Sequence, residues 1–587
     1  MGQDTYRAQD FYSFMPSIEP TRANALFALS GKNYRFDSIG PYSAYGDRFL
    51  TPVPLAKPDH VQGVTIPTRQ GDRTFTFVAN GIMEWDESKG GWQWIYVTAD
   101  TSLTPNRWTW AYLALKIYFC HPVVGLLVLN LDTGTCLRAQ DAAGAIGIPD
   151  DPIAIAENNG QLVVLGPTMV SWSKASNGLN YNPKLGGAGF QVLTGRISGF
   201  PITITSWSGG VLIWTNGGIM RGEFSGGSEV YRWRALNFGF RPWNSMCVIR
   251  LDQDTSIFLD ERGLFQTRGE EPTPFSPMFN EFLIRYIKLN NMTVGQNLRL
   301  EWDARDRLLY VSVSFTEQNP IYEKAFVLYP SIDKWGQFND EHYGILPIRI
   351  ASGVRSSRNF GYVDSSGHIR LWKETGSKEI QPTDSLVNLV LNVQQVPVHV
   401  ADDGTGRVAS SSVSAMAFYP ADHGIRESYY PWDGSVPRPA TLTGLDSYVR
   451  FGLFRGSKLD ASDSLSEINQ LVIRSATSGL EEVQGEDWNL VPSGGVEDWD
   501  SATGREDWGF NDLNYVNHGL KVVGTIDGRT TFVEAEPKLV RFSAAGRYFS
   551  CTVQGIWHII EISAKAVGEG FRPKTLEITF SEAGRLT

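Results

Sequence analysis

A recurring strand–turn–strand unit is the feature that most restricts the fold of this chain. Each copy is a short apolar run, a turn rich in Asn, Asp, Ser and Gly, and a second apolar run. The turns are marked by Gly160, Gly217, Gly263, Asp306 and Gly367. Their spacings of 57, 46, 43 and 61 residues scatter around the roughly 40–50 residues of one four-stranded propeller blade. We therefore predict an all-β fold built on a divergent β-propeller, with a pair of β-sandwiches as the alternative.

Composition supports a β-rich chain with few helices. Aromatic residues make up 12% and charged residues 20% of the 587 residues, and there are 59 Gly and 30 Pro. Turns need Gly and Pro, whereas aromatic side chains favour pleated faces. The best helix candidate is Phe279–Lys288, with Asn280 as its cap. The run Trp108–Phe119 could form a helix or a buried strand, and its aromatic residues and flanking prolines favour the strand.

Changes in texture along the chain predict three regions. Residues 1–75 are rich in proline and form an N-terminal arm that wraps over another part of the protein. Residues 76–375 carry the recurring units and form the propeller-like domain. Residues 376–587 form a second β-rich region, similar to a β-sandwich, that packs back on the propeller.

The negative charge is concentrated in one segment. The formal charge is −11, and residues 481–512 hold ten acidic residues and one basic residue, which leaves −2 for the rest. Three Glu-Asp-Trp triplets lie in this segment: Glu486, Asp487 and Trp488; Glu497, Asp498 and Trp499; Glu506, Asp507 and Trp508. They are interpreted either as a docking surface for protein or sugar, or as strand–turn units with buried Trp and solvated acids. A calcium loop is the weaker reading, because Ala502 stands where an oxygen ligand is needed.

Motifs for catalysis, cofactors and metals are not found in the sequence. The four cysteines are too sparse for a disulfide scaffold and form no CxxC pair. Cys120 and His121 are adjacent on a predicted strand and point to opposite faces, so they form no catalytic pair. No apolar run is long enough to span a bilayer. We therefore predict no cofactor, no metal, no membrane-spanning segment and no enzymatic activity.

Three stretches of the chain resemble a known family of phage proteins. They run from Arg232 to Trp243, from Glu323 to Trp335 and from Gly568 to Lys574. Their texture is similar to that of the tail nozzle proteins (tail tubular protein B) of short-tailed, podovirus-like bacteriophages. The resemblance implies an all-β subunit around a propeller, six copies of which form the tube below the portal and adaptor. Nozzle proteins are not known as enzymes, so the resemblance implies no catalytic residue.

The function implied by this resemblance is that of a structural virion protein in the phage tail, assembled in the host cytoplasm. Its implied partners are five further copies, the head-to-tail adaptor protein, tail fibres or spikes, and phage DNA that passes without specific binding. A near-neutral body suits such passage, because phosphate contacts dominate DNA affinity. Two alternatives stay open: a receptor-binding or fibre-type tail protein that uses Trp residues on glycans, and a propeller glycan hydrolase or lyase with paired carboxylates.

Overall fold

The structure is a computed structural model, and most of its described residues lie in strands. These residues are 3–8, 11–13, 26–38, 40–43, 46–50, 54–55, 58–86, 91–98, 107–226, 229–236, 239–290, 298–315, 321–348, 360–373, 377–379, 442–444, 447–454, 464–475, 517–525, 532–534, 540–541, 547–555, 557–564 and 573–585. Within them lie one α-helix and four 3-10 helices of three residues each, Ala139–Asp141, Pro183–Leu185, Ser245–Cys247 and Pro330–Ile332.

The N-terminal part of the chain contributes short strands to several sheets. These strands are β1 (Gln3–Ala8), β2 (Phe11–Tyr12), β3 (Leu26–Lys32), β4 (Tyr34–Phe36), β5 (Pro41–Ser43) and β6 (Gly46–Phe49). Each of them belongs to a sheet that also contains strands from later in the chain.

A propeller of seven blades follows in the described part of the chain. The strands of the first four blades are β7 (Gln62–Thr68), β8 (Gly71–Val78), β9 (Gly81–Asp86) and β10 (Gly91–Val97); β11 (Thr109–Leu113), β12 (Lys116–His121), β13 (Gly125–Asn130) and β14 (Cys136–Arg138); β15 (Ala154–Asn158), β16 (Gln161–Leu165), β17 (Met169–Trp172) and β18 (Gly189–Val192); β19 (Pro201–Trp207), β20 (Gly210–Thr215), β21 (Gly218–Phe224) and β22 (Tyr231–Leu236).

The last three blades include the helix and the closure of the ring. Their elements are β23 (Val248–Arg250), β24 (Ser256–Asp260), β25 (Gly263–Thr267) and β26 (Thr273–Pro274); the helix α1 (Pro277–Leu289); β27 (Leu298–Asp303), β28 (Leu308–Val313), β29 (Lys324–Tyr329) and β30 (Lys334–Phe338); β31 (His342–Leu346), β32 (Gly361–Asp364) and β33 (Ile369–Lys373). Blade 7 takes its fourth strand, β6, from the N-terminal part of the chain, whereas β4 and β5 extend blade 6.

A buried ionic contact accompanies this closure. Nη1 of Arg370 on β33 donates to Oδ1 of Asp47 on β6 at 2.6 Å, and the Tyr362 hydroxyl donates to Oδ2 at 2.6 Å. Asp47 and Arg370 are both buried. Arg370 also donates from Nε to Asp364 Oδ2 at 2.6 Å, so loss of Asp47 would leave it with one carboxylate, whereas loss of Arg370 would leave the buried charge of Asp47 without its cation.

The remaining strands form two further sheets together with N-terminal strands. They are β34 (Ser377–Glu379), β35 (Leu442–Gly444), β36 (Ser447–Phe454), β37 (Ser464–Ser475), β38 (Asn517–Thr525), β39 (Phe532–Glu534), β40 (Val540–Arg541), β41 (Arg547–Gly555), β42 (Trp557–Ala564) and β43 (Pro573–Arg585). One sheet has the order β1-β43-β37-β41, and the other has the order β2-β3-β36-β42-β38-β39, with β40 also paired to β38. The strands β34 and β35 extend blade 7.

The hydrophobic core is divided among the interfaces between blades. Each pair of neighbouring blades encloses one cluster of buried apolar side chains, and seven such clusters occupy the seven interfaces of the described ring. Because both faces of a blade are covered, its strands are continuous apolar runs rather than alternating ones. All six residues of β20 are buried, for example. A continuous apolar run indicates a strand, but because it does not alternate, it does not indicate which side chains face which neighbouring blade.

The predicted all-β fold on a divergent propeller is confirmed, and the alternative of paired sandwiches is wrong for residues 62–373. First strands of successive blades begin 44–50 residues apart. The turn markers are less regular because they mark two different hairpins. Gly160 and Asp306 lie between the first and second strands of their blades, whereas Gly217 and Gly367 lie between the second and third, and Gly263 begins the third strand of its blade.

Two local predictions need correction. The predicted helix is present as α1, but Asn280 is not its cap: Ser276 occupies that position, and the Asn280 side chain bonds both backbone groups of Leu264 on β25. The run Trp108–Phe119 is a hairpin rather than one strand. It reverses at Ala114 and Leu115, whose φ angles are +50° and +62°.

Candidate functional site: the central cavity of the propeller

The first strands of the blades surround a cavity of about 690 Å³. Its lining comes from β7, β11, β15, β19, β23 and β27, and from Pro347 directly after β31. All seven blades therefore contribute to it. Clefts of roughly 300–1,000 Å³ with a few placed polar groups are the usual size of small-molecule sites.

Arg107 crosses the axis of the propeller at one level of this cavity. It lies two residues before β11 of blade 2, and its Nη1 donates to Glu301 Oε1 on blade 6 at 3.1 Å. Its Nη2 donates to the carbonyl oxygens of Leu300 at 2.6 Å and Met246 at 3.1 Å. Blade 2 faces blades 5 and 6 across a seven-bladed ring, so this side chain obstructs the channel.

A second guanidinium meets the same carboxylate. Arg299 is fully buried, and its Nε and Nη2 donate to Glu301 Oε1 at 2.9 and 2.8 Å. Its Nη1 donates to the Val61 carbonyl before blade 1 at 2.6 Å. We call Arg107, Arg299 and Glu301 the floor network. It holds two positive charges against one negative charge and links blade 6 to blades 1, 2 and 5.

The floor network acts on two nearby histidines. Burial, together with the positive charge of Arg299, lowers the pKa of His60 to about 4. The pKa of His342 is also lowered to about 4, mainly by burial, although the hydrogen bond to the Asp340 carbonyl opposes the shift. Both imidazoles are therefore neutral at pH 7 and add no positive charge to the floor.

Arg250 lies higher on the cavity wall, at the end of β23. Its Nη1 donates to Ser206 Oγ on blade 4 at 2.8 Å, and its Nε donates to the Asp252 carbonyl at 2.7 Å. Burial lowers the pKa of Arg250 from its ordinary value, and neighbouring acids including Asp252 and Glu157 oppose that shift. The guanidinium thus bridges two blades and already has acceptors from the protein.

Two carboxylates share this level with Arg250. Oε1 of Glu157 on β15 accepts the N–H of Gly160 at 2.8 Å. Burial raises the pKa of Asp252, but the N–H groups of Asp254 and Thr255 that donate to its carboxylate outweigh burial, and the pKa lies below its usual value. Both carboxylates lie beside the positive charge of Arg250, so the charges of the wall are largely compensated.

Aromatic side chains form much of the remaining wall. Trp110 on β11 is 40% exposed, which is unusual for an indole on the first strand of a packed blade. Tyr112 on the same strand and Trp302 on β27 are half-buried and also line the cavity. The arrangement offers apolar ring surface beside polar groups that are held in place by the backbone.

Metal-ligating clusters and thiols are two further kinds of group that bear on the chemistry of the described residues. No group of three or more His, Cys, Asp or Glu that could hold a metal occurs among the described residues. Burial raises the pKa of the Cys247 thiol to about 12 and that of Cys120 further, so both thiols stay protonated. Cys120 packs between blades 2 and 3, and His121 lies against Trp108 at 4.9 Å.

The residues predicted as a docking segment lie outside the described residues. They are Glu486, Asp487, Trp488, Glu497, Asp498, Trp499, Glu506, Asp507 and Trp508. The central cavity is built instead from residues that sequence reasoning missed, Arg107, Trp110, Glu157, Arg250 and Glu301. They come from four blades, and the signal that could have found them is their common place on or just before the first strand of a repeat.

No helix in the described ranges has the length and apolar character needed to cross a membrane.

Comparisons with known proteins add only distant structural likeness. No protein-family model matches the chain, and no curated protein matches it. Among solved structures, the extracellular domain of the putative hybrid two-component system BT4673 from B. thetaiotaomicron is 11% identical, with a TM-score of 0.34 over 56% of this chain and 39% of that one. The corresponding domain of BT3049 from B. thetaiotaomicron is 13% identical, with a TM-score of 0.34 over 60% and 44%. The chain thus spans less than half of these proteins, and likeness at this level supports no functional argument.

Proposed function

We propose that this chain is the subunit of a bacteriophage tail nozzle. Six copies form the distal tube below the portal and adaptor protein, tail fibres or spikes attach to it, and DNA leaves through its lumen without specific binding. The observation that carries the proposal is the all-β fold centred on a propeller, in a chain whose stretches at 232–243, 323–335 and 568–574 resemble that family. As a virion component, the protein is assembled in the host cytoplasm.

The geometry of the propeller limits where DNA passes in such an assembly. The central cavity has the volume of a small-molecule site, and Arg107 crosses it to reach Glu301. A DNA duplex cannot follow this path. In the proposed nozzle the lumen is therefore the space enclosed by the ring of subunits, and each propeller is a solid wall element of the tube.

The outer edge of blade 3 offers a surface for contacts between subunits. β18 is the last strand of this blade, and its Phe190 and Val192 are 55% and 44% exposed. Met169 on β17 lies directly opposite Val192 and is 39% exposed. Exposed apolar side chains grouped at a strand edge are unfavourable in a monomer and are typical of protein interfaces. We expect a neighbouring subunit to cover this edge.

The charge of the chain also supports the proposal. Six copies would carry a formal charge of about −66, six times −11. A neutral lumen makes no long-lived contacts with phosphate, and an acidic one repels it. Such a tube would let the duplex slide, whereas a basic lumen would hold it.

The oligomeric state tests the proposed function. The purified full-length chain, alone and with its adaptor protein, is examined by mass photometry and negative-stain electron microscopy. We expect particles of about 390 kDa, six times the 65.2 kDa of the chain, and end views with sixfold symmetry. A chain that stays monomeric at high concentration and forms no ring with adaptor would overturn the proposal. A trimer would favour a fibre-type protein instead.

A further inference from the structure

The wall of the central cavity has features that the proposed nozzle function does not use. We define the cavity mouth as Trp110, Tyr112, Glu157, Arg250 and Trp302, all of which line the cavity. We propose that the cavity mouth binds a neutral saccharide of one or two sugar rings. The argument rests on ring surface, on the state of the charged groups and on free acceptor capacity.

Ring surface is the first requirement for binding a sugar. The C–H groups of a sugar ring form an apolar face that packs on the electron-rich face of an aromatic ring, as other polarised hydrogens do. The cavity mouth supplies three aromatic side chains from two blades, and Trp110 leaves 40% of its surface open in the absence of a ligand. An indole that is neither packed in the core nor located on the outer surface is available to a ligand.

The charged groups argue against an anionic ligand. Binding of phosphate or carboxylate by arginine needs a guanidinium edge with two unengaged donors. Nε, Nη1 and Nη2 of Arg250 donate to Asp252, Ser206 and Gln253. Nη1 and Nη2 of Arg107 donate to Glu301 and to backbone carbonyls. Arg250 keeps one further N–H on each Nη, but the carboxylates of Glu157 and Asp252 beside it offset its charge and would repel an anion.

The carboxylate of Glu157 has an oxygen that can accept hydrogen bonds from the hydroxyl groups of a ligand. Oε1 of Glu157 accepts the N–H of Gly160, whereas Oε2 makes no hydrogen bond to any described residue. The half-buried carboxylate is thereby oriented by one oxygen and can accept from a ligand hydroxyl with the other. Hydrogen bonds from hydroxyls to an ionised carboxylate are roughly twice as strong as neutral ones. A neutral, polyhydroxylated ring fits both this acceptor and the aromatic wall.

The test is a binding titration of the full-length chain with glucose, galactose, N-acetylglucosamine, maltose, cellobiose and lactose. Binding is followed by saturation-transfer NMR and tryptophan fluorescence, with inorganic phosphate as the anionic comparison. The decisive variant is Trp110→Ala, and its matched control is Trp94→Ala on β10, because Trp94 is 39% exposed but lies outside the cavity. We expect Trp110→Ala to weaken binding of the best sugar about fivefold or more, and Trp94→Ala to leave it unchanged.

A second variant keeps the result interpretable if Trp110→Ala does not fold. Glu157→Gln retains the oxygen that accepts the Gly160 N–H and removes only the charge, so its melting temperature should stay near that of the wild type. We expect it to weaken sugar binding about fivefold. The proposal is overturned if none of the six sugars binds, if phosphate binds in their place, or if the Trp110 and Trp94 variants bind equally. None of these results bears on whether six chains form a ring.

Discussion

Replacement of Glu301 by Gln tests whether the floor network stabilises the propeller. Oε1 of Glu301 accepts three hydrogen bonds, two from Arg299 and one from Arg107, at 2.8 to 3.1 Å. Glutamine has nearly the same shape and keeps an acceptor oxygen, so the change removes charge rather than volume. The two guanidiniums then face each other without a carboxylate between them.

The expected loss of stability follows from burial. Arg299 is 0% exposed and the Glu301 side chain is 6% exposed, whereas the Arg107 side chain is 19% exposed and is partly screened by water. Breaking a buried ion pair costs about 3–5 kcal/mol, because the remaining charge stays desolvated and unpaired. Since Gln still accepts a hydrogen bond and Arg107 is partly solvated, we expect the lower end, about 3 kcal/mol.

The measurement is the free energy of unfolding from urea titrations followed by tryptophan fluorescence. Glu281→Gln is the matched control, because Glu281 pairs with Arg285 on the surface of α1 and both side chains are nearly half exposed. We expect the control to change stability by no more than about 0.5 kcal/mol. If Glu301→Gln is as stable as the control, the floor network does not hold the ring together and the reasoning is refuted.

Three further predictions concern other parts of the protein. Because the pKa of His342 falls from 6.5 to about 4 on folding, the unfolded chain binds the extra proton and stability is lost as pH falls through this window. His342→Gln should reduce the fall of melting temperature between pH 6.5 and 4, His60→Gln should reduce it in the same direction, and unchanged profiles would contradict the assignment. Gly336→Ala places a Cβ against the Tyr34 carbonyl where β4 joins blade 6, and should lower the free energy of unfolding by about 1–3 kcal/mol in urea titrations; a variant as stable as wild type would show that the strand gives way freely. Phe190→Glu should leave the melting temperature unchanged and abolish rings in light scattering after size exclusion, and intact rings would exclude the blade 3 edge as the contact.

The blades could be predicted from the sequence because their signals are local. A hairpin such as β15–β16 combines two apolar runs with Asn159 and Gly160, both in the left-handed conformation with φ of +49° and +73°. The position of β6 could not be predicted in the same way. Its pairing with β33 joins residues more than 300 positions apart. Residues 1–75 are recognisable in the sequence only as a proline-rich stretch, which does not indicate that their strands join several sheets.

The central cavity could not be predicted from the sequence for a different reason. Its polar residues share no motif, because they are scattered over blades 2 to 6, and successive blades are about 45 residues of strand and turn apart. An arginine such as Arg107 also has the same sequence signal whether it is solvated or crosses the axis to a carboxylate. Burial decides between the two, and burial depends on the ring being closed.

Closure of the ring and construction of the cavity are therefore one physical event. Glu301 meets Arg299 on its own strand but needs blade 2 in place to meet Arg107, and the Asp47–Arg370 contact needs β6 seated on blade 7. In an open ring these charges would be exposed to water and would no longer compensate each other, so a partly closed ring would be little more stable than an open one. It follows that a variant weakened at Asp47 should also lose affinity at the cavity mouth, although Asp47 does not line the cavity. Asp47→Asn, which removes one of the two carboxylates that face Arg370, should lower both the melting temperature and the sugar affinity. A loss of stability with unchanged affinity would show that the cavity survives without full closure.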